Sequence, residues 1–203
     1  MLVVGLTGNI AAGKSSVAAR LAHHGVRVIA SDQLAREAVA VGSPALARIA
    51  AQFGRHVLAA DGSLDRAALR RIVFADAAQR RALEAITHPE VERLRQDALA
   101  RARADGLALV VCDIPLLFEV GLERQMDRVV VVDAPTEVRR LRLMRDRGLS
   151  AADADAMIAA QWPAESKRAR ADYVIDNDGT LAQLESRTDE LLHRLRLASP
   201  RSA

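Results

Sequence analysis

Eight residues near the start of the chain, Gly8-Asn9-Ile10-Ala11-Ala12-Gly13-Lys14-Ser15, have the types and spacing needed to hold a phosphate group. Gly8 and Gly13 permit backbone conformations that a side chain hinders, so successive N–H groups can turn toward phosphate oxygens. Lys14 would reach the β- and γ-phosphates of a nucleoside triphosphate, and the Ser15 hydroxyl would coordinate Mg²⁺ directly. Gly-x4-Gly-Lys-Ser carries this meaning only between a strand and a helix. Leu2-Val3-Val4-Gly5-Leu6 reads as the strand, and Ser16-Val17-Ala18-Ala19-Arg20-Leu21 reads as helix, whose positive end adds to the attraction. A serine-capped glycine turn explains neither flank. The chain also has 29 basic residues of which only Lys14 and Lys167 are lysines. Arginine supplies charge elsewhere, whereas position 14 suits a compact, flexible ammonium.

Acids follow two other apolar runs. Asp32 comes after Val26–Ala30, on the rim where open parallel sheets gather their functional loops. It suits the general base for an acceptor hydroxyl, and equally the cap of a helix over 33–39. Asp113 follows Leu107–Cys112 and is placed to organise Mg²⁺-bound water or the transferring phosphate. The apolar stretch Ile114-Pro115-Leu116-Leu117-Phe118-Glu119 is either core or the lining of an acceptor pocket. Arg139, Arg140, Arg142, Arg145 and Arg147 lie on one expected helix. Such a run is a solvated face or, beside a P-loop, a mobile source of positive charge for the transition state. Arg139, Arg142 and Arg145 are spaced to share one broad face. His88 is either a helix-start residue or an acceptor contact, and it has no convergent partners for a metal. Cys112, the single cysteine, reads as a small buried residue.

Five strands are expected, at 2–6, 26–30, 107–112, 128–133 and 172–176, separated by helical segments. These comprise 14–23, 44–53, a stretch from Leu64-Asp65-Arg66 through 83, and a helix from Thr87-His88-Pro89-Glu90 to about 104. Gly148 breaks the arginine helix, Ser150 caps the next, Gln161-Trp162-Pro163 ends it, and Thr180 opens the last. The pattern predicts an α/β fold: a five-stranded parallel sheet flanked by helices, of the P-loop nucleoside-phosphate-kinase kind. The section between the second and third strands exceeds a simple crossover of about a dozen residues, so its surplus is expected to bind the acceptor. In 203 residues, 50% hydrophobic and 27% charged, this fits one domain. That domain divides into a core at 1–40, 107–136 and 171–198, a helical acceptor-binding region at about 41–106, and a lid at about 137–170. A net charge of +3 and 2% aromatic residues speak against a nucleic-acid surface. No apolar run is long enough to span a membrane, and the N-terminus passes straight into the P-loop without signal-peptide character. No Asn-Lys-x-Asp base-recognition motif is present, which favours ATP over GTP.

An ordered set of segments resembles the dephospho-coenzyme A kinase family along nearly the whole chain. It comprises Gly5-Leu6-Thr7-Gly8, Gly13-Lys14-Ser15, Asp32 with Ala35-Arg36, Leu64-Asp65-Arg66, His88-Pro89 and Asp113 through Glu119. Gln161, Lys167, Ala171-Asp172 and Val174 through Gly179 complete it. The resemblance implies ATP-dependent phosphorylation of the ribose 3′-hydroxyl of dephospho-CoA in a cytoplasmic enzyme, with ATP as cosubstrate and Mg²⁺ as cofactor. It implies Asp32 as the catalytic acid/base and residues 8–15 with Ser16 as the ATP site. Asn177 and Gly179 fall in a loop near adenine, and Arg142 with Arg145 serve as lid arginines. Asp32, Arg36, His88, Leu116 and Glu119 would contact the acceptor, with Asp113 reaching Mg²⁺ through water. Two departures stand out: Ala11 replaces the usual glycine, and Met144-Arg145-Asp146-Arg147 leaves Arg145 and Arg147 as rivals for one role. The alternatives are a kinase for another nucleotide or small hydroxyl acceptor, and a non-catalytic ATP-gated binding module; acceptor-dependent ADP production separates them. The expected state is a monomer or a weak homo-oligomer.

Overall fold

Seven consecutive buried residues, Leu2–Gly8, form β1, as expected of a strand covered on both faces. The computed structural model describes residues 1–198. The other strands are β2 (Arg27–Ala30), β3 (Leu109–Asp113), β4 (Arg128–Asp133) and β5 (Tyr173–Asp176). They form one parallel sheet in the order β2-β3-β1-β4-β5. Leu6 is paired with Asp113 and Gly8 with Val132, so the ends of β3 and β4 flank the exit of β1. The chain leaves β1 toward the β2 edge but leaves β3 and β4 toward the β5 edge. Ligands in open α/β sheets bind beyond the strand carboxyl ends at such a reversal.

Alternation along β1 sends Leu2, Val4 and Leu6 into a cluster with Val17 and Leu21 of α1 (Lys14–His23). The same cluster holds Leu184, Leu191, Leu192 and Leu195 of α9 (Leu181–Leu197). The opposite face is covered by the segment after β3. A Cβ on Gly5 would lie 2.8 Å from Met126 and 2.9 Å from Leu117, and Thr7 Oγ1 donates to the Pro115 carbonyl at 3.1 Å. Ile114, Leu117 and Phe118 are therefore core, while Leu116 and Val120 are about half exposed. The core expectation for this stretch is met by Ile114, Leu117 and Phe118.

The chain divides into two compact units, Met1–Ile29 with the chain from Ala102 onward, and Ala30–Arg101. The second contains α2 (Ser31–Glu37), α3 (Pro44–Phe53), α4 (Arg66–Ala75) and most of α5 (Ala77–Ala104). Its core is Val39, Ala45, Ile49, Phe53, Val57, Leu69 and Ile86. The remaining helices of the first unit are α6 (Thr136–Arg147), α7 (Ala151–Ala159) and α8 (Ala164–Arg168).

Three local expectations are corrected. The helix expected at 33–39 begins at Ser31 with Ala30 as its cap, so Asp32 sits in the first turn and caps nothing. The helical stretch through 83 is broken at Asp76, whose carboxylate accepts from Ala78 N at 2.6 Å and starts α5. No helix starts at Thr87: α5 runs through Pro89, and Thr87 Oγ1 donates back to the Leu83 carbonyl at 3.0 Å. An interior proline costs about 3 kcal/mol. Burying one large aliphatic side chain returns about 1.5–3 kcal/mol, and Ile86 and Leu94 are both buried on this helix. Burial on both sides of the proline outweighs the local cap signature.

Helix α9 is fastened to α1 by Asp189, which accepts from Arg20 Nε at 2.8 Å and NH2 at 2.5 Å and pairs with His24 Nε2 at 2.8 Å. The Arg20 hydrogen bonds, with help from His24, hold the Asp189 carboxyl down at about 2. Its unfolded value is about 3.9. A depressed folded pKa gives stability that is present above the unfolded value and lost as pH falls through the folded one. The Asp189→Asn variant is thus expected to unfold at lower urea than the wild type at pH 6. The gap should narrow as pH drops below about 4. A gap that is constant from pH 6 to 3 contradicts this.

Candidate active site

Backbone strain and long-range hydrogen bonds shape the 8–15 loop. Gly8 is required by close approach, since a Cβ there would lie 2.5 Å from the Val132 carbonyl oxygen. Gly13 has φ +97°, and the Asn177 carboxamide fills the space where its Cβ would be. Ala11 has φ +59° and is the one non-glycine residue with positive φ among the described residues. That conformation costs an alanine about 1–2 kcal/mol and persists only where neighbours hold it. Several do. Ile10 N donates to Gln161 Oε1 at 2.7 Å, and Asn9 Nδ2 donates to the Trp162 carbonyl at 3.1 Å. Arg142 donates to the Ala11 carbonyl at 3.2 Å, and Asn177 Nδ2 to the Ala12 carbonyl at 2.8 Å.

The loop's amides divide into two sets. Those of Ile10, Ala12 and Ser16 are bonded within the protein, Ala12 N to Asn9 O and Ser16 N to Gly13 O. Those of Ala11, Gly13, Lys14 and Ser15 have no protein acceptor among the described residues. Gly13 caps α1 without a side chain, so the helix's positive end is not consumed internally. Four open amides, a helix N-terminus and the Lys14 ammonium are together suited to holding a phosphate.

Lys14 Nζ is ion-paired with Asp113 at the end of β3, both side chains mostly buried. Ser15 is exposed in the first turn of α1. Ser15 and Asp113 thus supply oxygens suited to Mg²⁺, which typically takes one or two protein ligands and completes its shell with phosphate and water. No group of three or more His, Cys, Asp or Glu side chains fit for a metal occurs among the described residues. Lys167, the other lysine, is fully buried on α8, 2.7 Å from Glu119. Glu119 is therefore committed to an ion pair, while Leu116 remains exposed.

Of the three arginines expected to share a face, only Arg142 meets the P-loop, bridging Ala11 O and Asn177 O at 3.2 Å each. Arg139 is buried and bonded to Ala134 O and Thr136 Oγ1; desolvation lowers its pKa, against the charges of Asp133 and Glu165. Arg145 is exposed and paired with Asp146 at 2.6 Å. Six residues turn a helix through about 600°, which leaves the outer pair about 120° apart. The 177–179 loop is set by Asn177 N on Asp133 O at 2.7 Å and by the capping box of Thr180 and Gln183. A Cβ on Gly179 would meet the Gln183 carboxamide, whose oxygen accepts from Thr180 N in that capping box. An open groove of about 420 Å³ is lined by Ser16, Ala19, Arg20, His23, Leu181 and Glu185.

In the second unit, Asp32 and Arg36 are exposed one turn apart on α2, and His88 is exposed in the middle of α5. Sequence reasoning treated Gln161 as a helix end and as part of the ordered set, without assigning it to the loop it contacts. Its partner is 151 residues away, beyond any local signal.

A family model described as "CoaE: Dephospho-CoA kinase" matches residues 2–183. A protein of Anaeromyxobacter dehalogenans named dephospho-CoA kinase is 54% identical over 196 residues, covering 97% of this chain and 93% of its own. A crystal structure from Thermus thermophilus is similar at 41% identity and TM-score 0.79, covering 96% of this chain and 97% of that one. A solved dephospho-CoA kinase from Campylobacter jejuni is similar at 26% identity and TM-score 0.76, with the same coverage.

Replacing Ala11 by glycine removes the left-handed penalty of about 1–2 kcal/mol and adds about 0.4–1 kcal/mol of unfolded-state entropy. The Ala11→Gly variant is expected to melt about 1–3 °C higher than the wild type without nucleotide. A lower melting temperature contradicts the strain at this position.

Proposed function

Because the chain belongs to the dephospho-CoA kinase family, we propose how its residues divide the work of the transfer. The activity is ATP-dependent phosphorylation of dephospho-CoA at the ribose 3′-hydroxyl, giving CoA and ADP in the final step of CoA biosynthesis. The observation that carries the assignment is the set of four open amides beside Lys14. In this reading they hold the ATP phosphates, Lys14 leaves Asp113 to neutralise the β- and γ-oxygens, and the α1 N-terminus adds its field. Arg142 secures the loop and the base-side 177–179 segment together. The groove lined by Ser16, Arg20 and Leu181 receives the adenosine, and Asn177 and Gly179 contact its base. Ser15 directly, and Asp113 through water, would hold Mg²⁺, which supplies further neutralisation of phosphate charge when bound.

The second unit, Ala30–Arg101, takes the acceptor. Asp32 orients the 3′-hydroxyl and accepts its proton as the 3′-oxygen bonds to the γ-phosphorus. The bond from that phosphorus to the β–γ bridging oxygen breaks in line, and ADP leaves. Arg36, one turn beyond Asp32, and His88 offer positive or donor groups to the acceptor's phosphates. Leu116 supplies apolar contact, and Glu119 acts through its pair with Lys167. Within the lid expected at about 137–170, residues 161–170 stay anchored, and Arg145 is an exposed guanidinium that closure of the earlier part carries toward the γ-phosphate. No helix among the described residues is long and apolar enough to cross a membrane. We read the working form as a cytoplasmic enzyme whose partners are ATP and dephospho-CoA.

General-base contributions of this kind are worth about 10²–10⁴ in rate. The Asp32→Asn variant should lose turnover on that scale while ATP affinity, measured by calorimetry, stays within about twofold of wild type. Near-wild-type turnover would remove Asp32 from the chemistry.

A further inference from the structure

The segment from Gln161 to Arg170 is attached to the rest of the first unit through five of its residues. Gln161 and Trp162 hold Ile10 and Asn9 of the P-loop. Lys167 is buried against Glu119, and Arg168 reaches Asp133 at 3.0 Å and Asp176 at 2.5 Å. Arg170 pairs with Glu123 at 2.6 Å and lies over the Phe118 and Trp162 rings at 5.1 and 5.6 Å. So many separate attachments fix the segment in place, and its first residue delivers a single hydrogen bond to the loop that must bind phosphate.

We propose that Gln161 is a positioning residue for the nucleotide. Its carboxamide oxygen takes the Ile10 N–H, which turns the peptide ahead of Ala11 and keeps Ala11 left-handed. That conformation directs the amides of Ala11, Gly13, Lys14 and Ser15 outward together. Arg142 on the Ala11 carbonyl and Asn177 on the Ala12 carbonyl hold the loop beyond the bend. Among the described residues, Gln161 is the one side chain bonded to the backbone ahead of it. A left-handed alanine persists only when its surroundings hold it, and without Gln161 the leading side of the bend keeps only the Asn9 side chain's bond to the Trp162 carbonyl and the Ala12 N bond to the Asn9 carbonyl. The inference rests on the reading that this loop binds the ATP phosphates.

The test is calorimetric ATP affinity and steady-state kinetics for wild type, Gln161→Ala and the double variant Ala11→Gly/Gln161→Ala. Tight ATP binding by the wild type checks the underlying reading by itself. In Gln161→Ala the ATP Kd and KM should rise about tenfold, the net worth of one good hydrogen bond. The KM for dephospho-CoA should stay within about twofold. Glycine at position 11 adopts the bend unaided, so the double variant should recover most of the lost affinity. Wild-type ATP affinity in Gln161→Ala, a parallel rise in both KM values, or no recovery in the double variant would each overturn the proposal. Should the single variant fold poorly, amide exchange on the nucleotide-free wild type decides. Ile10 N–H must be protected while the amides of Ala11 and Gly13 exchange freely, and an unprotected Ile10 N–H sinks the idea.

Discussion

The Asn177 side chain is the contact on which the rest of the site depends. Its Nδ2 donates to the Ala12 carbonyl at 2.8 Å, and its carboxamide closes over Gly13, where no side chain fits. Its own backbone N–H is tied to the Asp133 carbonyl. One buried residue at the end of β5 therefore joins the sheet to the turn from which α1 starts. The P-loop's conformation is inherited from the sheet through this bond, because the loop's own sequence includes a residue, Ala11, that resists it.

The strand-loop-helix unit at the N-terminus could be read directly, since the spacing of Gly8, Gly13 and Lys14 and the apolar run before them are local features. The five strands could be read for the same reason: each is a short apolar run bounded by a polar break. The clamp on the loop could not. Its members lie 165, 151 and 131 residues from their partners, as Asn177 to Ala12, Gln161 to Ile10 and Arg142 to Ala11. No periodicity records such pairs. Where local chemistry misled, burial was the reason. Thr87-His88-Pro89-Glu90 has every mark of a helix start, yet Ile86 and Leu94 are buried on either side of the proline and the helix continues. The Asp76 break was missed for the opposite reason: a lone capping carboxylate outweighed a run of good helix formers.

The scarcity of lysine acquires a structural meaning. Both lysines pair with acids at or just beyond the end of β3, Lys14 with Asp113 and Lys167 with Glu119. One lies beside the open amides of the loop, with its side chain partly exposed. The other is fully buried and anchors α8 behind the P-loop. A buried charge left without its partner is strongly unfavourable, which makes the second pair a fixed point rather than a contact that opens during turnover. The arginines divide likewise: Arg139 is built into the fold, Arg142 into the loop clamp, and Arg145 is left to solvent.

The central claim is that the sheet, through Asn177, holds the phosphate loop in its binding conformation. Calorimetric ATP affinity of an Asn177→Ala variant, at a temperature where circular dichroism shows it folded, tests this most directly. Truncation leaves the Ala12 carbonyl without its donor, a loss of about 1–3 kcal/mol. The account predicts an ATP Kd raised about tenfold or more, since about 1.4 kcal/mol is one decade. A folded variant that binds ATP within about twofold of wild type would show that the loop holds its shape without the sheet, and the account would be wrong.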